Sequence, residues 1–176
     1  MSWEEHKQVK FEQNMGLLVQ RPSLEEIEAR YAAMQEEMKA SVVAVAPQVE
    51  WSTSDEVRQG LCSGELSGSR ATEIKFPTWM WMWTSADQEW PAMLDAVSSV
   101  ASRYGFTDPN TVAGQSGNRD VRLYDEFGGQ VRFGYNVNLT LSVHSGCHVR
   151  QEAKDRFLSG DTSAPSYGGD RTPPSG

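Results

Sequence analysis

The chain has 176 residues, a net charge of −8 and 38% hydrophobic residues, with a mean hydropathy of −0.55. That suits one packed domain with loose ends, since the apolar fraction is low for a core filling the whole length. The acidic balance and the lack of any Lys/Arg cluster argue against a nucleic-acid partner, and no apolar run is long enough to read as a membrane span.

Residues 1–20 are weakly patterned and read as an N-terminal tether with at most a frayed helical turn at 7–14. The opening MSWEEHKQVKFEQNM lacks the apolar segment of a secretory signal. The chain is therefore expected to be cytoplasmic as written or the trimmed form of an exported protein. Ser23 and Glu26 have capping-box spacing and open a first helix. Leu24, Ile27, Tyr31, Met34, Met38, Val42 and Val45 recur at steps of three and four, which lays them on one helical stripe. Glutamates fill the other side, and Pro47 stops the helix.

Residues 49–53 read as a short strand, and 55–70 as a Ser/Gly-rich loop carrying Cys62. Residues 72–84, TEIKFPTWMWMWT, form a second strand. Pro77 removes a ladder donor there and implies an edge position or a bulge. Beyond it Trp79, Trp81 and Trp83 share one face, and Met80 and Met82 the other. An exposed aromatic row would mark a contact surface, so the three tryptophans are the candidate binding surface; packing beneath the helices is the plainer alternative.

Ser85, Ala86 and Asp87 open a second helix, with Pro91 tolerated in its first turn. Its stripe is Trp90, Leu94, Val97, Val100, Ala101 and Tyr104, and Gly105 suits a left-handed C′ position with Phe106 packing back. Residues 107–118 are turn-rich. Residues 119–126 form a strand, and Phe127-Gly128-Gly129 turns it back. Residues 130–147, QVRFGYNVNLTLSVHSGC, alternate strictly. Val131, Phe133, Tyr135, Val137, Leu139, Leu141 and Val143 take one face. Arg132, Gly134, Asn136, Asn138, Thr140 and Ser142 take the other. We read one long strand, bent at Gly134. A tight turn at Ser145-Gly146 and a return strand at 147–151 follow. Residues 153–176 read as a disordered Ser/Gly/Pro-rich tail.

The expected fold class is α+β: a two-layer sandwich, with two helices on one face of a mainly antiparallel sheet of four to five strands. A single domain spans residues 21–152. Spacing alone leaves Cys62 and Cys147 open between two unrelated buried thiols and one disulfide.

Chemical motifs are scarce. His144, Cys147 and His148 are three local donors, fewer than a structural zinc site needs, and strand-end exposure is the better reading of both histidines. Asp120, Asp125 and Glu126 flank a hairpin without calcium-loop spacing and read as solvated charges. No nucleophile elbow, phosphate loop or zinc-protease motif occurs. No catalytic residue, metal or cofactor is expected.

The runs RPSLEEIEARYAAMQEEMKASVVAVAPQVEW, GLCSG, WTSADQEWPAMLDAVSSVASRYGF and VRFGYNVNLTLSVHSGCHVR carry a family resemblance. Together they resemble the LppA-like lipoproteins of mycobacteria and related actinobacteria, over about residues 21–151. The resemblance implies an exported, lipid-anchored envelope protein and a Cys62–Cys147 disulfide. This chain shows no signal peptide or lipobox cysteine, so the anchor is inferred for a longer precursor. The expected function is a non-catalytic, membrane-attached envelope domain that binds a partner protein, glycan or lipid. The alternatives are a small hydrolase with an unrecognised site and a cytoplasmic or phage-type immunity protein with free thiols.

Overall fold

The computed structural model of the protein describes residues 1–82, 87–107 and 117–165. Its helices are α1 (Trp3–Leu18), α2 (Leu24–Val45), α3 (Trp90–Arg103) and α4 (Gln151–Leu158). Its strands are β1 (Arg58–Leu61), β2 (Thr72–Lys75), β3 (Trp79–Trp81), β4 (Arg119–Tyr124), β5 (Gln130–Tyr135) and β6 (Leu139–His144). The fold is α+β, with an open six-stranded sheet in the order β1-β2-β6-β5-β4 and β3 also on β6. The strand count exceeds the expected four to five: residues 58–61 pair, and residues 72–84 and 130–147 each give two strands, while 49–53 and 147–151 give none.

The chain falls into two compact units: Met1–Glu25 with Leu61–Thr72 and Cys147–Gly176, and Glu26–Gly60 with Glu73–Gly146. The second unit holds most of the sheet. Phe133 lies opposite Leu141 and Val131 opposite Val143 across β5 and β6. Val121 lies opposite Phe133, and Leu123 opposite Val131, across β4 and β5. All six side chains are buried.

The single long strand expected over 130–147 is instead the β5–β6 hairpin. Its turn holds Asn136, Val137 and Asn138, so Tyr135 meets Leu139. With an odd number of turn residues, odd positions keep the inner face on both strands, and alternation looks the same as in one straight strand. Val137 sits at the tip and is exposed rather than inward. The return strand expected at 147–151 does not form. A lone bridge joins His148 to Thr72, and Gln151 starts α4.

Of the edge position or bulge expected at Pro77, the register shows the bulge. Lys75 pairs with His144 and Trp79 with Leu141, so four steps along one chain match three along β6. The extra residue switches parity. Ile74 and Phe76 are buried at even positions, and the odd-numbered Trp79 and Trp81 then share that inner face. The strand expected at 49–53 shrinks to one bridge, between Ser52 and Met80.

Both α2 and α3 cover the inner face of the sheet. The stripe residues of α2 in this unit, Ile27, Tyr31, Met34, Met38 and Val42, are buried, whereas Val45 at the helix end is exposed. The Tyr31 ring lies 6.3 Å from Phe76 and 5.1 Å from Phe106. Trp90 of α3 stacks on Phe133 at 5.1 Å. α3 ends as its sequence predicts: Gly105 has φ +88°, its N–H donates to Ser102, and the Phe106 N–H donates to Ala101. Those two bonds make a Schellman cap. Between the helices, the Tyr104 hydroxyl donates to Glu37 at 2.6 Å. That bond holds the Glu37 carboxyl below its ordinary value, with Arg103 adding to the effect.

Residues 1–20, read as a tether, form α1 in the first unit. Ser2 and Glu5 cap it reciprocally. Phe11, Met15 and Leu18 join Cys62, Ala71 and Val149 in a core. Phe157 of α4 meets Phe11 edge-on at 6.3 Å, so the region read as a tail begins as a packed helix. Further on, the Gln8 amide bridges the Thr162 carbonyl and the Ala164 N–H. Residues 166–176, also read as tail, lie outside the described residues, as do 108–116 of the expected turn region.

Glycine tests this geometry. A methyl group at Gly134 would strike the Arg119 carbonyl, and one at Gly146 the Phe127 carbonyl. Gly134→Ala should therefore destabilise by about 2–4 kcal/mol. Gly16 in α1 has open space around it, and Gly16→Ala should stabilise by roughly 0.5–1 kcal/mol. Thermal unfolding of both variants checks the pair, and equal effects would contradict the register.

Candidate functional site

The register that turns apolar residues inward turns Arg132, Gly134, Thr140, Ser142 and His144 to the opposite face. With Lys75, Arg119, Asp120, Gln130, Asn136 and Asn138 they line an open groove of about 660 Å³. Gly134 leaves its floor bare against the β4 backbone at Arg119.

One ion pair organises the groove. Arg132 donates through Nε to Asp120 Oδ1 and through Nη2 to Oδ2, both at 3.0 Å. Arg122 reaches the same Oδ2 at 3.2 Å. The bonds from Arg132 hold the Asp120 carboxyl below its ordinary value; partial burial opposes this and Arg122 assists. The same contact holds the Arg132 guanidinium above its ordinary value. A second chain of contacts crosses the sheet. Gln130 donates to the Tyr124 hydroxyl at 3.0 Å, and its amide oxygen lies 3.0 Å from His144 Nε2.

The predicted site residues scatter. Trp79 and Trp81 are half-buried and lie on the helix-covered face, because they pair with the buried Leu141 and Leu139. They are not an outward row. Lys39 Nζ stands 3.1 Å from the Trp79 ring centroid. Trp83 lies outside the described residues. His144 is exposed, whereas His148 is fully buried rather than exposed, its Nδ1 2.9 Å from the Pro22 carbonyl. Asp125 is a turn residue, accepting from the Phe127 and Gly129 N–H groups. Glu126 is exposed.

Cys62 and Cys147 form a disulfide within the first unit, with Cα atoms 6.1 Å apart. Arg21 caps the Cys147 carbonyl at 2.9 Å. Bonded sulfurs cannot serve as thiolate ligands, so this pair offers a metal nothing. The groove is not legible as a site in the sequence because its members are ordinary strand polars. The signal was present in the even positions of residues 130–147, but Asp120 and Lys75 join them only once strands pair.

The LppA family, described as a lipoprotein confined to pathogenic Mycobacterium, matches residues 4–151. The crystal structure of LppA from Mycobacterium tuberculosis, described as a lipoprotein, aligns with a TM-score of 0.70 at 20% identity. It covers 86% of this chain and 94% of that one, a likeness of fold alone. A DUF4853 family protein from Actinomyces odontolyticus aligns with a TM-score of 0.45 at 17% identity, over 84% and 79% of the two chains. No functionally curated protein matches the chain.

Three measurements check these placements. Thiol titration of the unfolded, unreduced chain should find no free thiol, and Cys62→Ser with Cys147→Ser should cost roughly 4 kcal/mol. Trp79→Ala should lower stability by about 2–3 kcal/mol, as a residue on the helix-facing side does. The Asp120 carboxyl titrates below an unfolded aspartate. Its contribution is therefore whole above the ordinary carboxylate range and disappears as pH falls through the folded value. Half-exposure keeps that contribution under about 1 kcal/mol. Acid titration of Asp120 in the wild type and in Arg132→Gln should show its midpoint rising in the variant.

Proposed function

The chain belongs to the LppA family of lipoproteins, and from that premise we propose a non-catalytic envelope domain that binds its ligand on the polar face of its sheet. Lipoprotein membership implies an extracytoplasmic, membrane-associated location. Among the described residues no helix is long and apolar enough to cross a membrane. A lipid anchor accordingly supplies the attachment.

The observation that carries the reading is the groove itself. It is broad, open and lined by hydrogen-bonding side chains on a rigid floor of paired strands. Asp120 fixes Arg132 before any ligand arrives, which lowers the ordering cost of binding. An open sheet face of this kind suits recognition of an extended polar ligand more than enclosure of a reacting bond, since catalysis gains from excluding water. His144 supports the same reading, because its Nε2 faces Gln130 and not a nucleophile.

Titration of the full chain with soluble muropeptides and oligosaccharides, followed by amide resonances, tests the proposal. Shifts should cluster at Gly134, Thr140 and Ser142. Ser142→Tyr fills the groove without touching the inner face, so it should weaken binding about tenfold or more at unchanged Tm. Shifts confined to other surfaces would sink the site, and turnover of any fragment would sink the non-catalytic assignment.

A further inference from the structure

We infer that the ligand of this groove is a sugar or polyol carrying a phosphate group. The inference rests on the binding-domain reading above and adds the chemistry of the ligand. Its first support is charge. The chain as a whole carries −8, yet the outward charges of the groove are Lys75 and Arg132 with a single acid, Asp120, which Arg122 also reaches. A cationic hollow in an otherwise acidic protein attracts anions.

The second support is unused bonding capacity. Arg132 spends two of its N–H donors on Asp120, and a guanidinium has five. Asp120 therefore orients Arg132 without exhausting it. Lys75 is exposed and makes no hydrogen bond or ion pair among the described residues. A point charge on a flexible stem in the same groove as a fixed guanidinium is a pairing suited to phosphate oxygens.

The third support is the neighbourhood. Asn136, Asn138 and Ser142 line the same groove, and their side chains make no hydrogen bond among the described residues. Amides and hydroxyls both donate and accept, as the hydroxyls of a sugar or polyol require. Cations at one part of the groove and two-way hydrogen-bonding groups at another fit one ligand with both features. Such a ligand occurs free or as a lipid headgroup, and the two sources share this chemistry.

The test uses the full chain with glucose phosphate against glucose, and phosphatidylglycerol vesicles against phosphatidylcholine vesicles. Glucose phosphate should shift the amide resonances of Arg132, Gly134 and Ser142, and glucose should not. Preference for the anionic vesicles with no response to the soluble phosphate would assign the lipid headgroup as source and still support the inference. Lys75→Glu should weaken binding about tenfold with Tm unchanged, Lys75→Arg should retain it, and rising salt should weaken it. Equal binding of glucose and glucose phosphate would overturn the phosphate while leaving the binding domain intact. No groove response to any of the four probes would overturn the inference. Groove silence toward muropeptides and oligosaccharides as well would remove the underlying reading.

Discussion

Across β4, β5 and β6, odd-numbered residues face odd-numbered residues in both ladders. Everything else in the second unit follows from that parity. Val121, Phe133 and Leu141 form one inward row, and α2 and α3 cover it. A slip of one residue would present Arg132, Thr140 and Ser142 to the helices, at the cost of burying unpaired polar groups. The alternatives are poor enough that the register is fixed by the faces themselves, without help from a special turn. The β5–β6 turn needs no left-handed residue at all, since the positive-φ positions are all glycines elsewhere.

The same parity makes the groove, so core and site are two sides of one decision. Each inward apolar residue forces its neighbour outward. Where β4 and β5 pair, Asp120 of one strand reaches Arg132 of the other diagonally across the ladder, and Arg122, two residues along β4, joins the same carboxylate. Such pairs are worth little to stability when half-exposed. Their effect here is geometric: they hold a guanidinium still on a surface where long side chains otherwise sweep. Gly134 completes the arrangement by letting β4 approach so closely that no side chain could stand between them.

How much of this the sequence discloses depends on whether a signal is local. Both helices of the second unit are legible, because a stripe at 3.6-residue period and a Tyr-Gly-Phe ending are local features. The Pro77 bulge is legible for the same reason. The β5–β6 hairpin is not, since an odd turn preserves alternation; only length argues against a single strand. α1 escapes because its buried residues are three, Phe11, Met15 and Leu18, too few to stand out from a mixed background. α4 escapes because Phe157 acquires meaning only when Phe11 is beside it. The tryptophans mislead in an instructive way. Aromatic residues alternating along a strand specify a face, but which face is decided by the partner strand, and here Leu139 and Leu141 decide it.

The first unit presents a different physical problem. It is assembled from three stretches far apart in the chain, and its core is small. Every such assembly must overcome the entropy of closing long loops, and a small core supplies little to offset it. The Cys62–Cys147 link joins two of the three stretches and removes much of that closure entropy from the unfolded chain. The third stretch is joined by hydrogen bonds around the same point: Arg21 to the Cys147 carbonyl, Lys154 to the Arg21 carbonyl, and His148 beside the Pro22 carbonyl. A covalent link with its neighbours satisfied is a structural device suited to an oxidising compartment. That agrees with the extracytoplasmic place that lipoprotein membership implies.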